Sequence, residues 1–422
     1  MSKIAIIGTG YVGLTTGACF AHLGHEVICA DIDEAKLERL QRGEIPIVEA
    51  GLDKIVEDGL RSGRLRFVLG ATAAVGDCEF AYLCVPTPMG DDGRADLSYI
   101  EAAAAEIGPL LPEGAVVVNK STVPVGSTKV VERVLRRPDV SVVSNPEFLR
   151  EGSAVHDFLH PDRIVVGSDD QAAAIKVASL YLGVPAPLIV TDPASAETIK
   201  YAANAFLATK LSFVNAVAAV CENVGADVAD VMLGIGYDQR IGRDFLKPGP
   251  GWGGSCFPKD TRAMVRIAED SGYDFSLLRG VIDVNEEQRE RVVDKIRIAA
   301  GGALEGARVA VWGLTFKART DDLRDSPSLA VIAVLQSLGA DVVGFDPTVK
   351  QPLDGIGFAA DAYAACEGAA VLAVLTEWDD FRWLDLDKVG QVMTNRAIVD
   401  GRNLLDRNTV KRAGFTYTGI GR

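Results

Sequence analysis

The stretch KIAIIGTGYVGLTTGACFAHLGHEVICAD, residues 3–31, decides the fold. Its first part, KIAIIG, is a short apolar run of the kind that makes a strand buried on both faces. Gly8, Gly10 and Gly13 follow, with Thr9, Tyr11 and Val12 between them. The next segment, GLTTGACFAHLG, carries apolar residues at helical spacing and stops at Gly24, and EVICAD is a second strand ending on Asp31. Strand, glycine turn, helix, strand and acid in that order match the dinucleotide fingerprint. There the glycines let amides at a helix N-terminus approach a pyrophosphate. Asp31 stands where a carboxylate accepts both ribose hydroxyls and repels a 2′-phosphate, so NAD is expected rather than NADP. A merely structural glycine turn is the competing reading of the glycines, and the two flanks and the acid weigh against it. Lys36, in DIDEAKL, either reaches the adenosine ribose or is solvated on a helix face.

Further strands recur downstream at βαβ spacing: RFVLG, EFAYLCVPTP, VVVNKSTVPVG and VSVVSNPEFL, with helical stretches such as LSYIEAAAAEIGPLL between them. This alternation indicates a parallel sheet covered by helices, whose ligands bind beyond the C-terminal ends of its strands. Three polar turns leave those ends, at Pro86–Pro88, Ser121–Pro124 and Asn145–Glu151. Each alone is ordinary turn punctuation. Together, on the edge that carries the glycine turn, they suggest a pocket.

From about Pro193 the texture changes to an Ala-rich helical run, ASAETIKYAANAFLATKLSFVNAVAAVCENVGA. A helix that long links domains or pairs with a second subunit. Lys200 and Asn204 share one of its faces among apolar neighbours, and a buried lysine must have a partner. The segment KPGPGWGGSCFPKD, residues 247–260, is too rich in Gly and Pro for a regular element. It reads as a shaped loop that admits a ligand to its backbone and carries Cys256 as a candidate nucleophile. Arg240, Arg243 and Lys247 make the approach to it positive.

A second α/β unit begins at RVAVWGLTFKARTDDLRDSP and continues through ADVVGFDP, AAVLAVLT and AIVDGRN. It lacks GxGxxG, so a second NAD site is not expected. Lys317, Arg324 and Arg402 fall on loops after its strands, where they bind phosphate or are simply solvated. The expected fold class is thus α/β: two Rossmann-like doubly wound parallel-sheet domains joined by a central helical domain with one long helix. The expected boundaries are 1–192, 193–303 and 304–422.

At 422 residues the chain is too long for one core. A net charge of -15 without a long basic run argues against nucleic acid or an anionic membrane as partner. The N-terminus enters a strand at once, leaving no room for a signal peptide, and no apolar run approaches the ~20 residues that span a bilayer. Seven cysteines without paired spacing fit a reducing, cytosolic compartment. Cys19, Cys29, Cys78, Cys84, Cys221 and Cys366 lie in apolar contexts and read as core residues. No metal site is expected.

Taken together, GTGYVG, CVPTP, KSTVPVG, NPEFLREG, the Lys200–Asn204 helix, GWGGSCFPKD and FKARTDDLRDSP resemble the UDP-glucose/GDP-mannose dehydrogenase family, in order from residue 3 to about residue 403. The resemblance implies a four-electron oxidation of a sugar C6 alcohol to a carboxylate, with two NAD in succession and a Cys256 thiohemiacetal and thioester between them. It implies Lys200 and Asn204 as oxyanion stabilisers and Asp260 as the group that orients or deprotonates water alongside Thr122. It gives Glu147 as the base of thioester hydrolysis. Beside the glycine turn it places Thr87, Thr122, Glu151, Lys259 and Arg324 near NAD. Around the sugar nucleotide it places Glu147, Phe148, Leu149 and Glu151, then Lys200, Asn204, Arg240, Phe245, Leu246 and Lys247. Gly253, Lys317 and Arg402 complete that set.

UDP-glucose is the substrate expected first. The same chemistry on dTDP-glucose or GDP-mannose stays open, although relatives acting on GDP-mannose tend to carry Leu where this chain has Phe257. Trp252 stands where Phe or Tyr is usual and could alter which base or sugar fits. Readings from other classes are a two-electron hydroxyacid dehydrogenase, which needs neither cysteine nor second sheet, and a non-catalytic nucleotide-sugar binder. A homodimer through the long helix is expected.

Overall fold

The computed structural model describes residues 1–90 and 93–422, which fold as two units. The first comprises Met1–Ala203 and Arg262–Ser271, the second Asn204–Thr261 and Gly272–Arg422.

In the first unit the expected strands form β1 (Lys3–Ile7), β2 (Glu26–Asp31), β3 (Leu65–Leu69), β4 (Phe80–Leu83), β5 (Val116–Asn119) and β6 (Ser141–Ser144). Two strands that the sequence did not reveal, β7 (Ile164–Gly167) and β8 (Leu188–Thr191), extend the sheet. The order is β3-β2-β1-β4-β5-β6-β7-β8. The first six strands pair in parallel, in the doubly wound order whose switch point lies between β1 and β4. β7 meets β6 antiparallel at Ser144 and Gly167, and β8 pairs parallel with β7. Alternation in β1 builds both faces. Ile4 and Ile6 join Leu14 and Phe20 in one core, while Ala5 and Ile7 join Val75 and Ile100 in the other.

The second unit carries β9 (Arg308–Trp312), β10 (Asp341–Phe345), β11 (Gly357–Phe358), β12 (Val371–Val374), β13 (Ala397–Asp400) and β14 (Thr416–Thr418). All pair in parallel in the order β11-β10-β9-β12-β13-β14. Of these, β11 is two residues long and β14 three, too short for a periodic signal. The helix Ser276–Ala299 covers one face through Val292, Val293 and Ile296.

The long helix runs from Pro193 to Val224. Contrary to the expectation about apolar runs, it is long and apolar enough by composition to cross a membrane, with mean hydropathy 1.4 over its most apolar window. Its apolar character has another use, because Val214, Ala218 and Cys221 belong to the core of the second unit.

Candidate functional site

The glycine turn assigns a separate duty to each glycine. Gly8 lies at φ +96, and a Cβ there would stand 2.6 Å from the Cys84 carbonyl oxygen. A Cβ on Gly13 would stand 1.9 Å from the Gly8 oxygen, so strand and helix close only without it. A Cβ on Gly10 would meet no protein atom within 4 Å, so internal packing does not demand glycine there. In the dinucleotide fingerprint a glycine at this place lets a pyrophosphate approach the backbone. The turn feeds directly into the helix Tyr11–His22, whose first amides face that side, while Val12 packs on the core.

Asp31 is held at the end of β2. Its Oδ2 accepts from the Thr9 N–H (2.8 Å), the Thr9 hydroxyl (2.5 Å) and Lys36 Nζ (2.5 Å). Burial pushes its carboxyl up, but the bonds from Lys36 and Thr9 outweigh this and bring it down to about 2. Lys36 is therefore tied to Asp31 rather than loose on a helix face.

The turns after β4 and β5 are sewn together. Ser121 donates to the Val85 carbonyl (2.6 Å) and Thr87 to the Thr122 carbonyl (2.9 Å), which buries both threonines at the C-terminal edge.

After β6 the chain forms a buried charged cluster. Glu147 is buried; its Oε1 accepts from Lys200 Nζ at 2.8 Å and its Oε2 from the Leu149 N–H at 2.6 Å. Burial pushes the Glu147 carboxyl up. The Lys200 charge and hydrogen bond, the Leu149 amide and the Lys120 charge prevail and hold it below the usual carboxylate range. Phe148 lies under two cations, with the Arg163 guanidinium 3.7 Å and Lys200 Nζ 5.5 Å from its ring centre. The apolar helix face thus hides its lysine against a carboxylate. Removing either partner would strand a buried charge, at a cost of about 3–5 kcal/mol.

Three contributors to this unit were not identified from sequence. Glu49 is buried and accepts from the Gly152 N–H (2.8 Å), the Ala154 N–H (2.8 Å) and the Tyr11 hydroxyl. It ties the loop containing Glu151 to the first residue of the helix after the glycine turn. The signal was a lone acid in the apolar run IPIVEAG. Lys120, buried at the end of β5, donates to Asn145 Oδ1 (3.2 Å) and the Tyr181 hydroxyl (3.3 Å). Arg163, ahead of β7, is the third.

In the second unit Cys256 immediately precedes the helix Phe257–Asp270, and its carbonyl accepts from the Asp260 N–H at 2.9 Å. It is partly exposed, whereas the other six cysteines are buried; burial pushes the thiols of Cys19, Cys78, Cys84 and Cys366 up to about 12. The expected contrast between one loop cysteine and six core cysteines is present. Asp260, 1% exposed, accepts from Asn204 Nδ2 (2.6 Å) and Lys259 Nζ (2.6 Å). Asn204 follows Lys200 by one turn of the same helix.

Two glycines of the cysteine loop are required by the packing around them. A Cβ on Gly253 would stand 1.9 Å from the Asp325 carbonyl oxygen, and one on Gly254 2.8 Å from the Phe316 ring. Trp252 is buried. Its indole N–H donates to Ser212 Oγ at 2.9 Å, and its backbone exchanges hydrogen bonds with Asn285. It anchors the loop in the unit's interior.

Arg402 donates to the Leu375 carbonyl (2.8 Å) and the Phe316 carbonyl (3.1 Å), bracing the loops after β12 and β9. Lys317 Nζ stands 5.4 Å from the Phe316 ring centre. Phe245 holds φ 60, a strained value for a bulky residue, and its ring meets Phe257 edge-on; Leu246 is buried. Three expected residues are not gathered with these. Arg240 is exposed and folded onto Asp238 at 2.6 Å, Arg324 onto Asp322 at 2.7 Å, and Lys247 is exposed.

A glycine turn with its acid on a doubly wound sheet, and a cysteine loop seated on a second parallel sheet, define a two-sheet NAD-dependent oxidoreductase. The chain belongs to the UDP-glucose/GDP-mannose dehydrogenase family. Residues 2–184 match the family's NAD-binding domain, 194–287 its central domain and 310–407 its UDP-binding domain. The chain is 47% identical to UDP-glucose 6-dehydrogenase TuaD of Bacillus subtilis, covering 100% of this chain and 94% of the relative. It is also 47% identical to UDP-glucose 6-dehydrogenase of Rhizobium meliloti, covering 100% and 99%. A solved UDP-glucose dehydrogenase from Pyrobaculum islandicum superposes with TM-score 0.92 at 38% identity, covering 100% and 98%.

Proposed function

We propose that this enzyme oxidises the C6 alcohol of UDP-glucose to the carboxylate of UDP-glucuronate, through a thiohemiacetal and a thioester on Cys256. The observation that carries the reading is the single partly exposed cysteine, set at a helix N-terminus in a chain whose other cysteines are buried. A helix N-terminus favours an anion, here the thiolate. The turn at Gly8, Gly10 and Gly13 with Asp31, Thr87 and Glu151 would hold NAD, which supplies the hydride acceptor when bound.

The chain's own groups do the rest. Lys200 and Asn204 stabilise oxyanions, since each offers a donor from a buried position. Cys256 adds to the C6 aldehyde because an aldehyde carbon has too little electron density to lose hydride, whereas the thiohemiacetal alkoxide has enough. Asp260, with Thr122, orients water or moves its proton. Glu147, ionised and oriented by Lys200, takes the proton of the water that cleaves the thioester. Phe148, Leu149, Arg240, Phe245–Lys247, Gly253, Lys317 and Arg402 line the nucleotide sugar, and Lys259 and Arg324 act beside the cofactor. Segments 1–192, 193–303 and 304–422 serve as NAD-binding, central and nucleotide-sugar-binding domains.

The enzyme acts as a cytosolic homodimer paired through the long helix. Phe206, Phe213 and Val220, seven residues apart and exposed, support that pairing. One assay tests the chemistry: NADH released per sugar over a panel of UDP-, dTDP- and GDP-sugars, for wild type and Cys256→Ser. The expected result is two NADH per UDP-glucose in wild type and no release of carboxylate from the variant. A ratio of one, or near wild-type carboxylate release from Cys256→Ser, would exclude the thioester route; preference for another nucleotide would reassign the substrate.

A further inference from the structure

Two lysines are buried around the loop that carries Glu147. Lys200 is explained by its ion pair. Lys120 is 5% exposed, and the hydrogen bonds it makes go to uncharged oxygens, Asn145 Oδ1 and the Tyr181 hydroxyl. Tyr181 in turn donates to Asn145 Oδ1 at 2.6 Å, and Asn145 Nδ2 donates to the Val165 carbonyl at 2.8 Å. The ammonium is therefore clamped between β5, the start of the Glu147 loop and the residue region after Ser179. Burying a charge among neutral partners is costly unless an anion lies within electrostatic reach. Lys120 and Glu147 line the same small cavity, with Asn145, Phe148, Arg163 and Tyr181.

The charges that face this pair are few. Lys200 approaches Glu147 from the long helix, and Arg163 acts on it from the segment before β7. Asp157 also lines the cavity and is ion-paired with Arg150. Cys84 and Tyr82, from β4 and its end, are both pushed up by burial and stay neutral near pH 7. Glu147 is thus the carboxylate on which Lys120 acts.

We propose that Lys120 is a positioning residue of the active site, a second fixed cation that keeps Glu147 ionised and oriented while Lys200 is engaged with the substrate oxygen. This rests on Glu147 being the base of thioester hydrolysis. An oxyanion draws Lys200 toward itself in the transition state, which weakens its hold on Glu147 at the moment the base is needed. Lys120 touches neither sugar nor cofactor in this account. Its charge is the part that matters.

The test is the pH dependence of kcat for wild type, Lys120→Gln, Lys120→Arg and Glu147→Gln. Gln can still donate to Asn145 and Tyr181 but carries no charge. Loss of a neighbouring cation raises the pKa of a carboxylate, so the acid limb of Lys120→Gln should move up by about one pH unit. Lys120→Arg should return it to the wild-type position. A limb that stays in place in Lys120→Gln, or that moves equally in Lys120→Arg, overturns the proposal. Should the Gln variant not fold, the Arg variant still decides: charge retained must mean limb retained. Glu147→Gln separates the two levels of the argument. If it hydrolyses the thioester at the wild-type rate, the reading of Glu147 fails. If it is inactive while Lys120→Gln leaves the limb unmoved, only the role of Lys120 fails.

Discussion

The two sheets solve the same local problem and then diverge at one carboxylate. In each, a glycine follows the first strand at nearly the same φ, +96 at Gly8 and +94 at Gly313. Each donates at 2.8 Å to the carbonyl near the end of the second strand, Ala30 or Phe345. In each, the acid at the end of the second strand or just after it reaches back to that turn. Asp31 takes the Thr9 N–H and hydroxyl; Asp346 takes the Leu314 N–H (2.9 Å), the Thr315 N–H (3.1 Å) and the Thr315 hydroxyl (3.0 Å). Asp346 also accepts from Trp378 Nε1 at 3.0 Å and is 1% exposed. Its hydrogen bonds serve the second unit's own fold. Asp31 stays partly open, with Lys36 beside it. The first turn runs straight into a helix; the second runs on to Ser326 before the helix Pro327–Ser337 begins. A helix N-terminus at the turn is what a pyrophosphate requires, and only the first sheet supplies one there.

The comparison breaks most visibly at Asp346. Asp346→Ala leaves several buried donors without an acceptor, each costing about 1–3 kcal/mol. The expected loss is about 3–5 kcal/mol, read as a lower urea midpoint for unfolding. A loss below about 1 kcal/mol would mean that Asp346 is not the brace of that turn.

Much of this contrast was legible in the sequence, and the reasons are local. The glycines, the helix spacing and Asp31 lie within 29 residues, so one stretch specifies turn, helix and acid together. The buried Lys200 was legible because a lysine on an apolar helix face needs a partner, although Glu147 is 53 residues away in the chain. What the sequence hid depends on distant partners. Glu49 meets Gly152 across 103 residues, and nothing near IPIVEAG announces that bond. The glycines of the cysteine loop did not show that Gly253 is also required by the Asp325 carbonyl, 72 residues away in the chain. Trp252 stood out as a departure from the family's usual Phe or Tyr, and nothing in its own stretch announced its distant partners Ser212 and Asn285. Arg240 matched a family position, and its pairing with Asp238, two residues away, was not read from the sequence.

At Asp31 the same removal should cost specificity more than stability. Asp31→Asn keeps the shape and an acceptor while deleting the charge that repels a 2′-phosphate. The kcat/KM ratio for NAD over NADP should fall about a hundredfold, or ~2.7 kcal/mol. Steady-state assays with both cofactors measure it. Equal use of NADP and NAD by the wild type would show that Asp31 does not set the preference, and its likeness to Asp346 would then be purely structural.

The smallest effect is in acid. The folded Asp31 carboxyl sits at about 2 against an ordinary 3.8, because its bonds to Lys36 and Thr9 outweigh burial. A carboxyl lowered in the folded state stabilises the fold above its unfolded pKa. That contribution is lost as pH falls from about 4 through about 2, with a size of about 2 kcal/mol. Asp31→Asn should lose this component and show a flatter fall in stability between those pH values, measured as urea midpoints. Lys36→Met should flatten it in part, since Thr9 still donates twice. If the variant and the wild type fell in parallel, the Lys36 and Thr9 bonds would not be what holds Asp31 ionised. The acid would then owe its place to the cofactor alone.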